Sequence, residues 1–117
     1  MHGFSEDSDF NFLKGSTVEQ VCLGQYDTQL HLNPGGSLRM EGSYVHRFGI
    51  REIHQDRSSC GPNELHRLLG QTITGLSVLP PRSLTLSFSN GDELMLVDDS
   101  DQYESFLIES PKGLMVI

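Results

Sequence analysis

The chain has 117 residues, with 8 Lys and Arg against 16 Asp and Glu, so its formal net charge is −8. This length predicts a single domain. No apolar run approaches the ~20 residues that a membrane-spanning helix needs. The surplus of carboxylates would repel a phosphate backbone. Composition therefore argues against helical membrane spans and against a general nucleic-acid binder.

Residues 1–9 are acidic and contain neither a basic stretch nor an apolar stretch, so they do not read as a secretory signal. We expect residues 1–9 to be mobile and residues 10–117 to form one β-rich domain. Cys22 lies in an apolar, strand-like run, and Cys60 lies in a loop-like run. Two thiols without a signal sequence predict free cysteines in a cytoplasmic protein.

The clearest strand pattern is the alternation of Leu84–Phe88, followed by Ser89–Gly91 and a second apolar run that ends at Val97. A two-residue loop would place the leucines of the two strands on opposite faces, whereas a three-residue loop places all of them on one face. Gly91 would take the left-handed conformation that the third loop position requires. We therefore predict a hairpin in which Leu86 pairs with Leu94 and Leu84 with Leu96.

A similar pattern occurs earlier, where Leu30 and Leu32 precede Pro34-Gly35-Gly36 and where Leu38 and Met40 follow. A three-residue loop over 34–36 predicts that Leu32 pairs with Leu38 and that Leu30 pairs with Met40. Pro34 would supply the fixed φ of the first turn position, and Gly36 the left-handed one.

The two hairpins lie in segments that match at an offset of 55 residues, where Gly15-Ser16-Thr17-Val18 aligns with Gly70-Gln71-Thr72-Ile73. Each unit would contain a strand, a loop, a strand, a tight turn and a strand. If the units are duplicates, residues 15–42 should superpose on 70–98, with Leu32 on Leu86 and Leu38 on Leu94. Convergence of two ordinary meanders is the alternative.

One short α-helix is predicted over Pro62–Gly70, because Pro stands in its first turn, Gly follows its last turn and Leu65, Leu68 and Leu69 share one face. The segments 102–110 and 114–117 are predicted strands. The predicted fold class is all-β, mainly antiparallel, as a sandwich or open barrel that could consist of two related three-stranded meanders. Its core is predicted to contain Leu30, Leu32, Leu38, Met40, Leu65, Leu84, Leu86, Leu94, Leu96, Phe106 and Ile108.

Motifs that would mark an enzyme or a cofactor site are absent from the sequence: no phosphate-binding glycine loop, nucleophile elbow, H-E-x-x-H or paired C-x-x-C. His46, His54 and His66 are too far apart in sequence for ordinary zinc-ligand spacing, so surface or capping roles are favoured. We therefore predict no catalytic residue, no metal and no cofactor. His46, Arg47 and Arg51 could form an anion site, but scattered surface arginines are favoured.

Acidic residues dominate the C-terminal third of the chain. No Lys or Arg lies between Arg82 and Lys112, whereas this stretch holds Asp92, Glu93, Asp98, Asp99, Asp101, Glu104 and Glu109. These carboxylates either keep the protein soluble or form an electrostatic patch for a basic protein partner. The residues predicted for partner binding are Asp98, Asp99, Asp101, Tyr103 and Glu104. Asp98–Asp101 lacks the glycine and glutamate of an EF-hand calcium loop, so a turn is predicted there.

The same stretch carries a family resemblance. Asp101 is followed by Tyr103-Glu104-Ser105-Phe106-Leu107-Ile108 and then by Pro111-Lys112-Gly113. This pattern resembles a bacterial family of small β-rich proteins of unknown function, whose members show Tyr-Glu-x-aromatic-x-Ile, Gly-Pro-x-Gly and a valine-rich closing strand. The resemblance extends over residues 10–117, although Phe106 stands where Trp is usual and Ser110 where Gly is usual. It implies a small soluble β domain and assigns no catalytic residue.

Two functions from different classes follow. The first is a non-enzymatic protein-binding module, comparable in form to an inhibitor or immunity protein, that uses the acidic residues and exists as a monomer or a homodimer. The second is a ligand-binding protein or hydrolase whose pocket is lined by His46, His54, His66, Asp98 and Asp101. A deep pocket that brings these side chains together would favour the second.

Overall fold

The computed structural model describes residues 13–24, 27–34, 36–55, 63–79, 83–97, 106–110 and 113–116. In the last two ranges Ile108 is the one residue whose side chain is described. The predicted mobile segment, residues 1–9, lies outside these ranges. So do Cys60 and the predicted partner-binding residues Asp98, Asp99, Asp101, Tyr103 and Glu104.

The described residues form ten strands. In chain order they are β1 (Thr17–Leu23), β2 (Thr28–Asn33), β3 (Gly36–Met40), β4 (Ser43–Phe48), β5 (Arg51–Gln55), β6 (Ile73–Leu79), β7 (Ser83–Phe88), β8 (Glu93–Val97), β9 (Phe106–Ser110) and β10 (Gly113–Val116).

Two five-stranded sheets pack on each other as a sandwich. The first sheet has the order β1-β2-β3-β9-β10, and the second has the order β5-β4-β8-β7-β6. All of the strand pairs are antiparallel. The predicted all-β, mainly antiparallel fold is therefore confirmed, and the sandwich is the form that it takes. No helix in the described ranges is long and apolar enough to cross a membrane.

The two sheets are joined where the starts of β1 and β6 meet. Thr17 and Thr72 face each other there, with their Oγ1 atoms 3.1 Å apart. Around them four main-chain hydrogen bonds form two matched pairs. In the first pair, Gly15 N donates to Ile73 O and Gly70 N to Val18 O, both at 2.8 Å. In the second pair, Ile73 N donates to Ser16 O and Val18 N to Gln71 O, both at 2.9 Å. Each bond maps onto its counterpart at the offset of 55 residues, so this junction has approximate twofold symmetry.

The whole strand order follows the same symmetry. Strands β1, β2 and β3 lie in the first sheet, and β4 and β5 then cross to the second. Strands β6, β7 and β8 lie in the second sheet, and β9 and β10 cross to the first. Each half of the chain therefore gives three strands to one sheet and two to the other. The predicted repeat is present in strand order, and the crossing of each final hairpin was not foreseen.

The registers show which residues correspond in the two halves. An irregularity follows Val18 in β1 and Ile73 in β6, and these two residues pair with Leu32 and Phe88. Leu32 therefore corresponds to Phe88, and the predicted match of Leu32 with Leu86 is wrong by two residues. The equivalent pairs Leu23–Thr28 and Val78–Leu84 enclose four and five residues, so the offset between the halves rises from 55 to 56 after this turn.

The later hairpin has the predicted register, with Leu86 opposite Leu94, Leu84 opposite Leu96 and a φ of +92° at Gly91. The earlier hairpin differs from the prediction. Leu30 pairs with Leu38, and Leu32 lies opposite Gly36, so the three-residue loop covers 33–35. Loops over 33–35 and 34–36 both keep the leucines on one face, so hydrophobic alternation could not separate them.

The predicted short helix is a 3₁₀ helix over Leu65–Leu68. Leu65 and Leu68 are fully buried, whereas Leu69 is 45% exposed. A 3₁₀ helix has three residues per turn, so residues at i and i+3 eclipse and both leucines enter the core. Gly70 follows with a φ of +78° and turns the chain into the junction with β1. The two α-helical turns predicted from i, i+3, i+4 spacing are therefore replaced by one tighter turn.

The core lies between the sheets and matches the predicted residues wherever their side chains are described, from Leu30 to Ile108. The side chain of Phe106 is outside the described set. Sequence reasoning missed several further core residues that the structure buries: Leu13, Val18, Tyr44, Leu68, Ile73 and Phe88.

Tyr44 provides a test of this packing at high pH. Burial raises the pKa of its phenol from 10.0 to about 12. The unfolded chain therefore loses this proton first, and the stability that Tyr44 contributes is complete below pH 10 and declines as pH rises towards 12. We expect the free energy of unfolding to fall over this window by up to about 1.4 kcal/mol per pH unit. Denaturant titrations of the wild type and Tyr44→Phe check this, and an equal decline in both would contradict it.

Candidate functional site

The inward face of β4 carries a histidine where an apolar side chain is expected. Tyr44, His46 and Phe48 alternate on this face, and the His46 residue is 0% exposed. The surface or capping role predicted for His46 is therefore wrong. The alternation of Tyr44, His46 and Phe48 is a strand pattern that would have placed His46 on an inward face. The sequence analysis did not predict a strand here, so it did not predict the burial of His46.

Asp92, which precedes β8, reaches His46 with its carboxylate and is also buried. The chain reaches it through the left-handed Gly91, and the Asp92 amide donates to Asn90 Oδ1 at 2.9 Å. The Asp92 carbonyl accepts a 2.9 Å hydrogen bond from the amide of Phe88, which closes the loop. Only 2% of the Asp92 side chain is exposed. Asp92 therefore does not belong to an acidic surface patch, as its place in the acidic run had suggested.

The Asp92 carboxylate accepts hydrogen bonds from two cationic or polar groups. Arg67 of the 3₁₀ helix donates from Nε to Oδ2 and from Nη2 to Oδ1, each at 3.0 Å. His46 Nε2 lies 2.9 Å from Oδ2. A two-pronged guanidinium–carboxylate contact is a strong, orientation-specific hydrogen-bond pair. The network of Arg67, Asp92 and His46 thus ties the 3₁₀ helix to β8 and β4.

The electrostatics of this network favour an ionised Asp92. Burial of the carboxyl group by itself raises its pKa, but the hydrogen bonds from Arg67 and His46 outweigh burial, so the pKa of Asp92 lies below its ordinary value of 3.8. The same contact raises the pKa of the Arg67 guanidinium. Asp92 is therefore a fixed negative charge within the fold over the neutral pH range.

His46 has one satisfied and one unsatisfied ring nitrogen. A carboxylate can only accept, so Nε2 carries the hydrogen that points to Asp92. Nδ1 is buried and has no hydrogen-bond partner. The ring instead contacts the Phe48 ring, with centroids 4.8 Å apart. A histidine and an aspartate in contact have the composition of an acid–base pair. Because the imidazole is fully buried, a substrate cannot reach it in this conformation.

Phe48 connects this network to the surface. Its ring is covered by two guanidinium groups, with the Cζ atoms of Arg67 and Arg51 at 4.7 Å and 5.1 Å from the ring centroid. Cations over an aromatic face are attracted by the ring quadrupole. Phe48 and Arg51 are opposite each other across the β4–β5 hairpin, whose loop consists of Gly49 and Ile50. We call Gly49, Ile50 and Arg51 the hairpin tip.

Ile50 is the most exposed large apolar residue in the described ranges, with a relative accessibility of 104%. Gly49 takes a φ of +65°, as the first position of a two-residue hairpin loop requires. The second position of such a loop is usually polar. The exposed apolar surface of Ile50 therefore contributes no hydrophobic stabilisation to the fold.

The other predicted histidines do not converge on His46. His54 pairs with Val45 in the sheet and therefore lies on the opposite face of β4 and β5. It is exposed and contacts Glu52, whose pKa it lowers together with Arg47. His66 is exposed on the 3₁₀ helix. Asp98 and Asp101 lie outside the described residues, so the predicted His/Asp pocket stays a prediction.

Arg47 and Arg51 lie on opposite faces of the sheet, which agrees with the favoured interpretation of scattered arginines and not with a shared anion site. Arg47 lies on the outer face, where it pairs with Glu52 at 2.8 Å and with Glu93 at 3.4 Å. Arg51 lies on the inner face beside Phe48. Arg51 shares the Phe48 ring with Arg67. Sequence reasoning did not include Arg67, because nothing in the 3₁₀ segment indicated that its side chain would reach Asp92 before β8.

The His46–Asp92 pair is not repeated at the symmetry-related positions. By register, His46 corresponds to Ile108, because His46 pairs with Leu94 and Ile108 with Leu38. Asp92 corresponds to Gly36, which occupies the same place opposite Leu32 that Asp92 occupies beside Phe88. An apolar side chain and a glycine therefore stand where the network has an imidazole and a carboxylate.

No group of three or more metal-ligating side chains occurs among the residues that the structure describes. Comparison with protein-family models, with curated proteins and with solved structures gives no match to this chain. The candidate site is therefore defined by its own geometry: the buried network, the Phe48 ring above it and the hairpin tip.

The buried network predicts a clear difference between two substitutions. Asp92→Asn removes the charge that both Arg67 and His46 contact, and we expect it to lower the free energy of unfolding by about 1–3 kcal/mol. His46→Ile, which copies the corresponding Ile108, removes an unsatisfied nitrogen and leaves Asp92 bound to Arg67. We expect it to change stability by less than about 1 kcal/mol. Urea titrations at neutral pH measure both, and a larger loss for His46→Ile would contradict the ranking.

The same carboxylate sets an acid dependence. Because its pKa is lower in the folded state, the stability that Asp92 contributes is present above its ordinary pKa of 3.8 and is lost as pH falls through the folded value. We expect Asp92→Asn to have a smaller stability loss below pH 4 than the wild type. Parallel acid-induced losses in both proteins would show that other carboxylates are responsible.

Proposed function

We propose that this protein is a non-enzymatic protein-binding module that docks through the hairpin tip. The observation that carries the proposal is the full exposure of Ile50 on a loop whose base is fixed by packed side chains. Isolated apolar residues are common on protein surfaces. Ile50 differs because an arginine and a buried aromatic ring adjoin it, and residues of these types dominate the energetics of protein interfaces.

The base of the hairpin tip is held in place before any partner arrives. Phe48 is 6% exposed, and the guanidinium groups of Arg51 and Arg67 lie over its ring. Arg67 is in turn held by Asp92 through two hydrogen bonds. A pre-organised surface loses little conformational entropy on binding, which supports the use of this end for recognition.

A single substitution tests the proposal. Ile50→Ser removes the exposed apolar side chain and touches no core residue, so the fold should be unchanged. Leu23→Ser is the matched control, because Leu23 is 57% exposed and lies on β1 in the other sheet. We expect a protein captured from native host extract by the wild type to be retained by Leu23→Ser and lost by Ile50→Ser. Equal capture by all three proteins would overturn the assignment of the hairpin tip.

A second candidate surface is suggested by the net charge of −8. Of the acidic run, Glu93 pairs with Arg47 and Asp92 is buried with Arg67, so these two are already neutralised by arginine. We propose that Asp98, Asp99 and Asp101, with Tyr103 and Glu104, attract a basic protein partner. Charges of this kind act on association rate more than on affinity.

Replacement of Asp98, Asp99 and Asp101 by Asn should slow association with a captured basic partner and flatten the salt dependence of the association rate. Stability should stay the same or rise, since repulsion between carboxylates is relieved. Stopped-flow association at several salt concentrations measures this. An unchanged rate would leave the acidic run as a solubility feature.

A further inference from the structure

We infer that the hairpin tip binds an acidic protein segment that places carboxylates against Arg51 and Arg67 and an apolar side chain against Ile50. This inference rests on the proposed docking function and adds the chemistry of the partner. It reverses the charge expected from the net composition, because the tip is a local basic site on an acidic protein.

Arg51 is the first reason for this charge preference. In the described part of the chain every other arginine pairs with a carboxylate: Arg39 with Asp27 and Glu41, Arg47 with Glu52 and Glu93, and Arg67 with Asp92. Arg51 is exposed and makes a cation–π contact with Phe48, and none of the described carboxylates forms an ion pair with it. Among the described arginines, Arg51 is therefore the one that offers an unpaired guanidinium to an external anion.

Arg67 supplies the second set of donors. Its Nε and Nη2 atoms are occupied by Asp92, which leaves Nη1 without a partner among the described residues. The Arg67 side chain is 38% exposed, so this outer edge reaches solvent. Both Cζ atoms lie close to the same ring centroid, so the two guanidinium groups are at most about 10 Å apart. One short acidic segment can contact both.

The contrast with the other half of the chain shows that this arrangement is not a requirement of the fold. Phe48 and Arg51 pair across their hairpin in the same way as Ser110 and Gly113 pair across the β9–β10 hairpin. His46 and Asp92 correspond to Ile108 and Gly36 by register. The aromatic ring, the arginine and the carboxylate thus correspond to Ser110, Gly113 and Gly36, so strand pairing in the sandwich does not require them.

A protein segment fits the tip better than a nucleic acid. A phosphate backbone would contact the arginines but offers no apolar side chain. It would therefore leave Ile50 without an apolar partner. An acidic segment that contains a leucine or a similar side chain satisfies Arg51 and Ile50 together.

The test uses the isotope-labelled full chain and three probes: the blocked peptide Glu-Glu-Leu-Glu-Glu, its Lys-Lys-Leu-Lys-Lys counterpart and inorganic phosphate. We expect the acidic peptide to shift the amide signals of Gly49, Ile50, Arg51 and Arg67 and the other two probes to shift them far less. Preferential binding of the lysine peptide at the tip, or full displacement of the acidic peptide by equimolar phosphate, would overturn the inference.

Variants separate the contributions of the tip. Arg51→Gln should weaken binding of the acidic peptide by about three- to fivefold, as expected for the loss of an exposed ion pair. Arg39→Gln, an exposed arginine of β3, should leave binding unchanged. Glu64 acts on Arg67 through space, so Glu64→Gln should strengthen binding. Equal weakening by Arg51→Gln and Arg39→Gln would reduce the effect to net charge and contradict the inference.

Asp92 positions Arg67, and its replacement is expected to change the affinity for the acidic peptide in the direction opposite to that expected from net charge. If only net charge mattered, Asp92→Asn would strengthen binding of an acidic peptide. If Asp92 holds Arg67 in place, Asp92→Asn weakens binding instead. Should this variant fold poorly, Arg67→Lys keeps the charge but loses the two-pronged contact, and we expect the same weakening. Stronger binding by either variant would contradict the positioning role.

The outcomes also distinguish the two proposals. If host-protein capture depends on Ile50 but the acidic peptide does not bind, the docking function stands and the inferred partner chemistry is wrong. If neither capture nor peptide binding depends on the tip, both are wrong.

Discussion

The hydrogen-bonded junction between the starts of β1 and β6 is the constraint on which the rest of this sandwich depends. It joins the two sheets by main-chain hydrogen bonds, and it relates the two halves of the chain by an approximate twofold axis between Thr17 and Thr72. Gly15 and Gly70 both have positive φ there, at +92° and +78°. Glycine adopts this conformation without steric strain, so each chain can turn directly into the junction.

The crossing of each final hairpin completes the two sheets. Because β4–β5 extends the second sheet and β9–β10 extends the first, neither half can bury its apolar face without the other. A hydrophobic face requires a partner layer, and here each half of the chain provides part of both layers. The two halves therefore form one cooperative core with two similar but separable ends.

This separability leaves room for specialisation at one end. A buried carboxylate is costly unless it is paired and hydrogen-bonded, and Asp92 meets both conditions through Arg67 and His46. The corresponding positions carry Ile108 and Gly36, so strand pairing does not require a histidine and a carboxylate there. The added network instead fixes Arg67 beneath an exposed tip, which gives an acidic protein one local site with cationic donors.

The sequence by itself determined the all-β class, most of the core and the parity of both hairpin loops, because alternation, glycine placement and local spacing are short-range properties. It indicated a repeat at an offset of 55 residues but left convergence of two meanders as an alternative. It could not choose between two equal-length loops around Pro34, since both preserve the apolar face. Only the tertiary structure decided that the final hairpins exchange sheets and that His46, Arg67 and Asp92 meet. Those contacts join three separate elements, and their partners are chosen by sheet order and register, which no local pattern encodes.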